Sequence, residues 1–214
     1  MDKMKLSIIF EVALSFLISA CSESFTDSRD EQSYNVVKIG NLTWMAENLN
    51  YATEGSMCPD GDSRNCKRLG RLYTWAEAKT VCPEGWRLPT SADFEALAVA
   101  VSGDVALPLA GNSGAVPNAS GAISNEVGAK LKSRDGWFKK GNGTDDFGFN
   151  ALPAGYGTVG KFDGIGGYAY FWSATEDSEN PEANAYYLFL SFSSSAANLN
   201  AFAKADYRSV RCIR

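Results

Sequence analysis

The stretch Thr74-Trp75-Ala76-Glu77-Ala78-Lys79-Thr80-Val81-Cys82-Pro83-Glu84-Gly85-Trp86-Arg87-Leu88-Pro89-Thr90 decides how the chain is read, because it joins two helix starts through one cysteine and a glycine turn. Thr74 and Glu77 have capping-box spacing, in which a threonine hydroxyl and an acid three residues on satisfy each other's unpaired backbone N–H groups. The helix that follows places Trp75, Ala78 and Cys82 on one face. Thr90 and Asp93 repeat the device. Phe94, Leu97, Ala98 and Val101 then recur at i, i+3, i+4 and i+7, so the second helix turns an apolar stripe to a core. Gly103 ends it.

Upstream, Val36-Val37-Lys38-Ile39 and Leu42-Thr43-Trp44-Met45 flank Gly40-Asn41, which reads as a hairpin with a two-residue turn. Downstream, residues 103–167 are rich in Gly, Asn and Ser, and long ordered loops are expected there. Residues 168–173, 186–192 and 209–213 carry the aromatic and β-branched content of strands, with 201–207 a weaker candidate. The expected class is α+β: two helices packed on a small, mostly antiparallel sheet with long ordered loops.

Five cysteines need a compartment before they can be paired. Lys3 and Lys5 precede an apolar run over residues 6–17 that ends in Ile18-Ser19-Ala20-Cys21, the layout of a secretion signal. The run is shorter than the ~20 apolar residues of a membrane span. The Ile-Ser-Ala-Cys ending resembles a bacterial lipobox, and that resemblance implies cleavage after residue 20 and a lipid on Cys21 that anchors the chain to a membrane. The implied address is the bacterial cell envelope, at the outer membrane or cell surface. Cys58, Cys66, Cys82 and Cys212 then remain in an oxidising compartment, enough for two disulfides in one of three pairings. Pro59-Asp60-Gly61 turns the chain between Cys58 and Cys66 and makes that local bridge easy, which leaves Cys82 for Cys212. On the chain-entropy account the long closure stabilises by ~4–5 kcal/mol and the short one by ~2–3 kcal/mol. A zinc site is the rival, but the protein has no histidine and no Cys-x-x-Cys pair.

Residues 21–33 are polar and charged and read as a flexible tether, leaving 34–214 as one domain. The signal carries two basic and two acidic residues, so its removal leaves the net charge of −5 unchanged. An acidic chain without a basic stripe is not a nucleic-acid binder.

Trp75, Ala78, Cys82, Gly85, Leu88 and Cys212 match the pattern of the C-type lectin-like fold, in which an early helix is bonded to the last strand. More narrowly, five blocks together resemble the Fibrobacter succinogenes major paralogous domain. They are Ile39-Gly40-Asn41-Leu42-Thr43-Trp44-Met45-Ala46-Glu47-Asn48-Leu49, Gly85-Trp86-Arg87-Leu88-Pro89-Thr90, Gly148-Phe149-Asn150-Ala151-Leu152-Pro153-Ala154-Gly155, Phe171-Trp172-Ser173 and Ser209-Val210-Arg211-Cys212-Ile213-Arg214. The resemblance implies a surface lipoprotein of unknown biochemical function on a lectin-like scaffold.

Fold alone does not give function. Calcium-dependent lectins of this fold use Glu-Pro-Asn or Gln-Pro-Asp followed by Trp-Asn-Asp, and neither is present; Glu179-Asn180-Pro181-Glu182-Ala183-Asn184 has the right atoms in another order. No cofactor is expected, calcium being the one candidate ion. Formylglycine-generating enzymes share Arg-Leu-Pro-Thr segments but need reactive cysteines, which the two disulfides consume. A Ser-His-Asp arrangement cannot be built without histidine. Asp145-Asp146 and Glu176-Asp177 are neighbours in sequence, which suits solvated loops better than a hydrolytic pair. The expectation is therefore a binding module and not an enzyme, with an assembly lipoprotein working through protein contacts as the alternative. Loops at residues 137–146 and 156–184 would present Trp137, Asp145, Asp146, Tyr156, Tyr168, Glu176, Asp177, Asn180 and Asn184 to an extracellular glycan or protein.

Overall fold

Three long strands, β8 (Tyr168–Glu176), β9 (Asn184–Ser191) and β10 (Ala197–Ala203), lie antiparallel at the centre of the sheet, and their alternation defines two chemically different faces. Ala169, Phe171, Leu188, Leu190, Ala197 and Leu199 point one way into the main core. Tyr168, Tyr170, Trp172, Tyr187, Phe189, Asn198, Asn200 and Phe202 occupy the positions between them and so point the other way. The computed structural model describes residues 23–103, 122–124 and 126–214, so the secretion signal and Cys21 lie outside the described residues.

The full sheet has eight strands. Its order runs β4 (Leu72–Tyr73), β11 (Arg208–Ser209), β8, β9, β10, β5 (Ala122–Ser124), with β6 (Ala154–Thr158) and β7 (Lys161–Ile165) attached beside β8. β6 and β11 pair parallel with β8 and the other pairings are antiparallel. A second, three-stranded sheet of β1 (Ser24–Asp27), β2 (Gln32–Ile39) and β3 (Leu42–Met45) stands apart. Among the described residues four α-helices complete an α+β fold: α1 (Ser63–Leu69), α2 (Trp75–Ala78), α3 (Ser91–Ser102) and α4 (Val127–Leu131).

Both capping boxes form at their expected positions, on Thr74/Glu77 and Thr90/Asp93, and Gly103 closes α3 in the left-handed conformation. Phe94, Leu97, Ala98 and Val101 are buried against the core face of the sheet. The hairpin around Gly40-Asn41 forms too, with Gly40 at φ +61, as a tight turn requires. Both disulfides are Cys58–Cys66 and Cys82–Cys212, the latter closing 130 residues.

Other expectations are corrected. Cys82 is not on a helix: α2 stops at Ala78, because the β-branched Thr80 and Val81 disfavour helix and Pro83 drives Cys82 out of helical geometry. The long bridge therefore joins the turn after α2 to the extended C-terminal segment. The segment between Cys58 and Cys66 is more than a loop, since Asp62 accepts from the Arg64 N–H and starts α1. Residues 24–33 are no tether. They form the β1–β2 hairpin, whose turn is held by the buried carboxylate of Asp27 bonded to Arg29 at 2.6 Å. Their polarity reflects exposure on alternate positions, not lack of structure. The glycine-rich region carries α4, β5 and the β6–β7 hairpin where loops are expected. Gly155 is needed there because a Cβ would lie 2.2 Å from the Asp163 carbonyl oxygen.

One cation ties these parts together. The Arg211 guanidinium has no exposure to solvent and donates to the carbonyls of Met45, Phe149 and Asn150 and to the side-chain oxygen of Asn48. It also lies over the Phe149 ring at 4.8 Å. Burial pushes its pKa down to about 9, countered by the charges of Glu47 and Asp145, so it is a cation at neutral pH. On either side of it the C-terminal segment is laced by Met45 N–H to Cys212 carbonyl (3.0 Å) and by reciprocal bonds between Arg87 and Ile213 (2.9 Å each).

Replacing Arg211 by Met keeps bulk but leaves these buried acceptors without donors, and the expected loss in urea unfolding is about 3–5 kcal/mol. A second test uses Asp93. Burial alone would raise its pKa, but hydrogen bonds from Arg87 and Thr90 hold it at about 2. Because the folded value lies below the unfolded one, its stabilisation is complete above about pH 4 and is lost as pH falls toward about 2. Asp93→Asn should flatten the melting temperature over that window and lower it at neutral pH.

Candidate functional site

Of the nine residues expected to meet a ligand, five have their side chains engaged within the fold, and Asp146 and Asn180 are exposed and lie away from the other candidates' common surface. Trp137 is 6 % exposed, belongs to the main core, and donates its Nε1–H to Ser133 Oγ at 3.0 Å. It is a packing residue, with apolar neighbours burying a large ring whose one polar atom is satisfied internally. Asp145 has a left-handed backbone (φ 46), and its carboxylate accepts the Asn150 N–H at 2.7 Å. Asp146 is exposed, and its backbone N–H is held by the Lys130 carbonyl. Glu176 pairs with Lys204 at 2.8 Å, which also reaches the Pro181 carbonyl. Asp177 accepts from Glu179 N–H at 3.2 Å and from Asn184 Nδ2 at 3.4 Å, while the Asn180 carbonyl receives the backbone N–H of Asn184. These four shape the β8–β9 turn.

Tyr156 and Tyr168 come together, and on a surface different from the one expected. Both lie on the outer face of the sheet, Tyr156 from β6 and Tyr168 from β8. Tyr170 on β8 and Phe189 on β9 are register partners, and Phe192 follows β9, where its N–H bonds the Gly167 carbonyl. All five rings are half-buried, and Phe202 beside them is exposed. Ring centroids are separated by 6.0 Å for Phe192–Tyr168, 6.1 Å for Tyr168–Tyr170, 5.2 Å for Tyr170–Tyr156 and 5.0 Å for Tyr170–Phe189. Asn198 and Asn200 on β10 line the same face, and the Asn200 side chain bonds the Tyr187 hydroxyl. At the Tyr156 end a cavity of about 140 Å³ is bounded by Tyr156, Thr158, Lys161, Phe162 and Asp163.

The floor of this face is ionic. Arg208, 2 % exposed, lies 4.2 Å from the centroid of Tyr187, 4.8 Å from Trp172 and 5.0 Å from Tyr170. Its terminal nitrogen donates to Asp206 Oδ2 at 3.0 Å, while its Nε–H has no acceptor among the described residues. Burial lowers the pKa of Arg208, and the surrounding tyrosines and Asp206 oppose that shift. Burial raises Asp206, against the pull of Arg208. Guanidinium over aromatic faces is stabilised by the ring quadrupoles, so the ion pair fixes the rings around it. The face thus offers apolar ring surface, phenolic hydroxyls and side-chain amides on a rigid base.

A period-two signal for this surface is present in the sequence. Tyr168-x-Tyr170-x-Trp172, Tyr187-x-Phe189 and Asn198-x-Asn200-x-Phe202 each alternate aromatic or amide residues with core residues. Among the described residues no group of three or more His, Cys, Asp and Glu is placed to hold a metal ion, and no helix is long and apolar enough to cross a membrane.

Tyrosine ionisation tests the face. Tyr187 and Tyr34 share one buried cluster with Trp172 and Trp75, with Tyr170 packed against it, and burial raises all three tyrosines, Tyr34 to about 12. Because the folded values lie above the unfolded one, the associated stability is present below about pH 10 and is lost as pH rises further. Ultraviolet difference titration should therefore show a class of tyrosines that ionises only as the fold is lost.

The family model described as the Fibrobacter succinogenes major domain matches residues 37–214. No curated protein and no solved structure matches. The family match runs from the middle of β2 through the last residue and takes in every element that builds the aromatic face, and the chain therefore belongs to the Fibrobacter succinogenes major domain family.

Proposed function

We propose that this domain is an extracellular recognition module that binds a glycan on the outer face of its sheet. One observation carries the reading: a row of half-buried rings lies on a sheet face with amides and hydroxyls beside it. A sugar presents an apolar C–H face and an equatorial rim of hydroxyls. Rings take the first and amides the second, and both are held on strands, which lose little freedom on binding.

The scaffold is read as C-type lectin-like, supported by the long Cys82–Cys212 bridge and the capped helix that precedes it. The anchor is proposed to be a lipid on Cys21, which places the module at the bacterial cell surface. In this reading the domain binds and does not turn over its ligand.

A glycan array and polysaccharide pull-down with the disulfide-intact domain should give specific binding. Tyr168→Ala should weaken it about tenfold, the equivalent of ~1.4 kcal/mol for one ring contact. Asn200→Ala should weaken it less, and Asp146→Ala should leave it unchanged. Uniformly null binding by a folded domain, with one protein captured by cross-linking in cells, would replace this reading with an assembly role.

A further inference from the structure

The chemistry and shape of the aromatic face narrow the ligand beyond "a glycan". The rings are not coplanar. Successive planes are inclined by 59° for Phe192–Tyr168, 55° for Tyr168–Tyr170 and 65° for Tyr170–Tyr156. Strand twist contributes to this, since neighbouring positions on β8 rotate relative to each other and β6 leaves its partner at a further angle. A flat crystalline polysaccharide surface can touch only one or two such rings at a time. A single chain in solution can rotate about its glycosidic bonds and meet in turn the parts of these rings that their mutual packing at 5.2–6.1 Å leaves exposed.

Charge narrows it again. Arg208 is the deepest cation on this face, and it is already answered by Asp206 at 3.0 Å, so an incoming carboxylate or sulfate would meet a carboxylate beside every favourable contact with the guanidinium. At the cavity end one cation, Lys161, and one anion, Asp163, both exposed, line the same cavity, so the charge there is balanced. At the other end Lys139 lies 5.6 Å from the Phe192 centroid but is exposed, where solvent and salt screen it. The remaining hydrogen-bonding groups, the phenols and the amides of Asn198 and Asn200, are neutral and serve as both donors and acceptors, as sugar hydroxyls do.

We infer that the ligand is a single, solvated, uncharged polysaccharide chain lying along β8 from Phe192 through Tyr168 and Tyr170 to Tyr156, and that crystalline surfaces and uronate-rich chains are excluded. This rests on the glycan reading above.

Affinity electrophoresis and calorimetry with the full domain can separate the two. The probes are soluble neutral chains (mixed-linkage β-glucan, galactomannan), soluble acidic chains (polygalacturonate, alginate) and insoluble microcrystalline cellulose and chitin. Retention by at least one neutral soluble chain is expected, with affinity nearly independent of salt and rising at least about tenfold from disaccharide to tetrasaccharide before levelling off. Tyr168→Phe should leave the affinity nearly unchanged and Tyr168→Ala should lower it about tenfold, which distinguishes the ring from its hydroxyl. Binding that prefers the crystalline solids, or the acidic chains with steep salt dependence, overturns this inference but leaves the glycan site if Tyr168→Ala still weakens it to that extent. Binding to none of the probes, or binding indifferent to Tyr168→Ala, overturns both.

Discussion

The Arg211 guanidinium is the constraint on which the other parts of the structure depend. It sits where three segments distant in sequence meet: the turn after β3, the Phe149–Asn150 strip and the C-terminal strip. None of these segments is satisfied by regular secondary structure at that point. A buried carbonyl without a donor costs ~1–3 kcal/mol, and several would be left there by any apolar residue at position 211. The arrangement works because guanidinium is planar and has five N–H groups, so one side chain can serve acceptors in several directions. Cys212 follows immediately, and the long disulfide therefore fixes the chain beside the cation rather than at an unrelated point.

That knot leaves the large sheet with unequal faces. On one side α3 and the Phe149, Phe171 and Trp44 rings close the core. The other side is covered mainly at its Trp172 end, where Trp75 of α2 donates its indole N–H to the Ser173 carbonyl at 2.8 Å. Toward Tyr168 the face opens. Rigidity at the covered end carries over to the open one because both are the same strands, so the rings of Tyr168 and Tyr170 have little freedom to lose when a ligand settles on them.

What could be read from the sequence was what depends on local chemistry. Thr74/Glu77 and Thr90/Asp93 make caps whatever surrounds them, and Gly40-Asn41 makes a tight turn from its own backbone freedom. The cysteine pairing followed from chain geometry and arithmetic. What could not be read was set by contacts between distant segments. Gly155 looks like a loop residue, yet it is glycine because the β7 backbone approaches too closely for a Cβ. Residues 24–33 look like linker because their burial is confined to Asp27 and a few alternate positions, and Asp27 is buried only through its bond to Arg29. Trp137 fails as a ligand residue for the same kind of reason: only the fold shows that Ser133 stands ready for its indole N–H. The aromatic face was half visible. Tyr156 and Tyr168 were singled out as loop residues, but it takes the β6–β8 register to put them on one surface with Tyr170.

The ion pair among the rings bears on why such a surface is specific rather than merely sticky. An all-apolar floor would support the same rings, but they could then slide, since apolar packing has no preferred direction. Arg208 has one: its guanidinium is fixed by Asp206, and its cationic carbon attracts the faces of Tyr187, Trp172 and Tyr170 at 4.2–5.0 Å, so each ring has a defined place around it. The cost is the desolvation of two charges, visible in the opposed pKa shifts of Arg208 and Asp206. That cost is borne by folding and not by binding, so it takes nothing from affinity. A rigid row of rings with its polar groups already oriented discriminates among chains by their shape and hydroxyl pattern, which a mobile apolar patch of equal area cannot do.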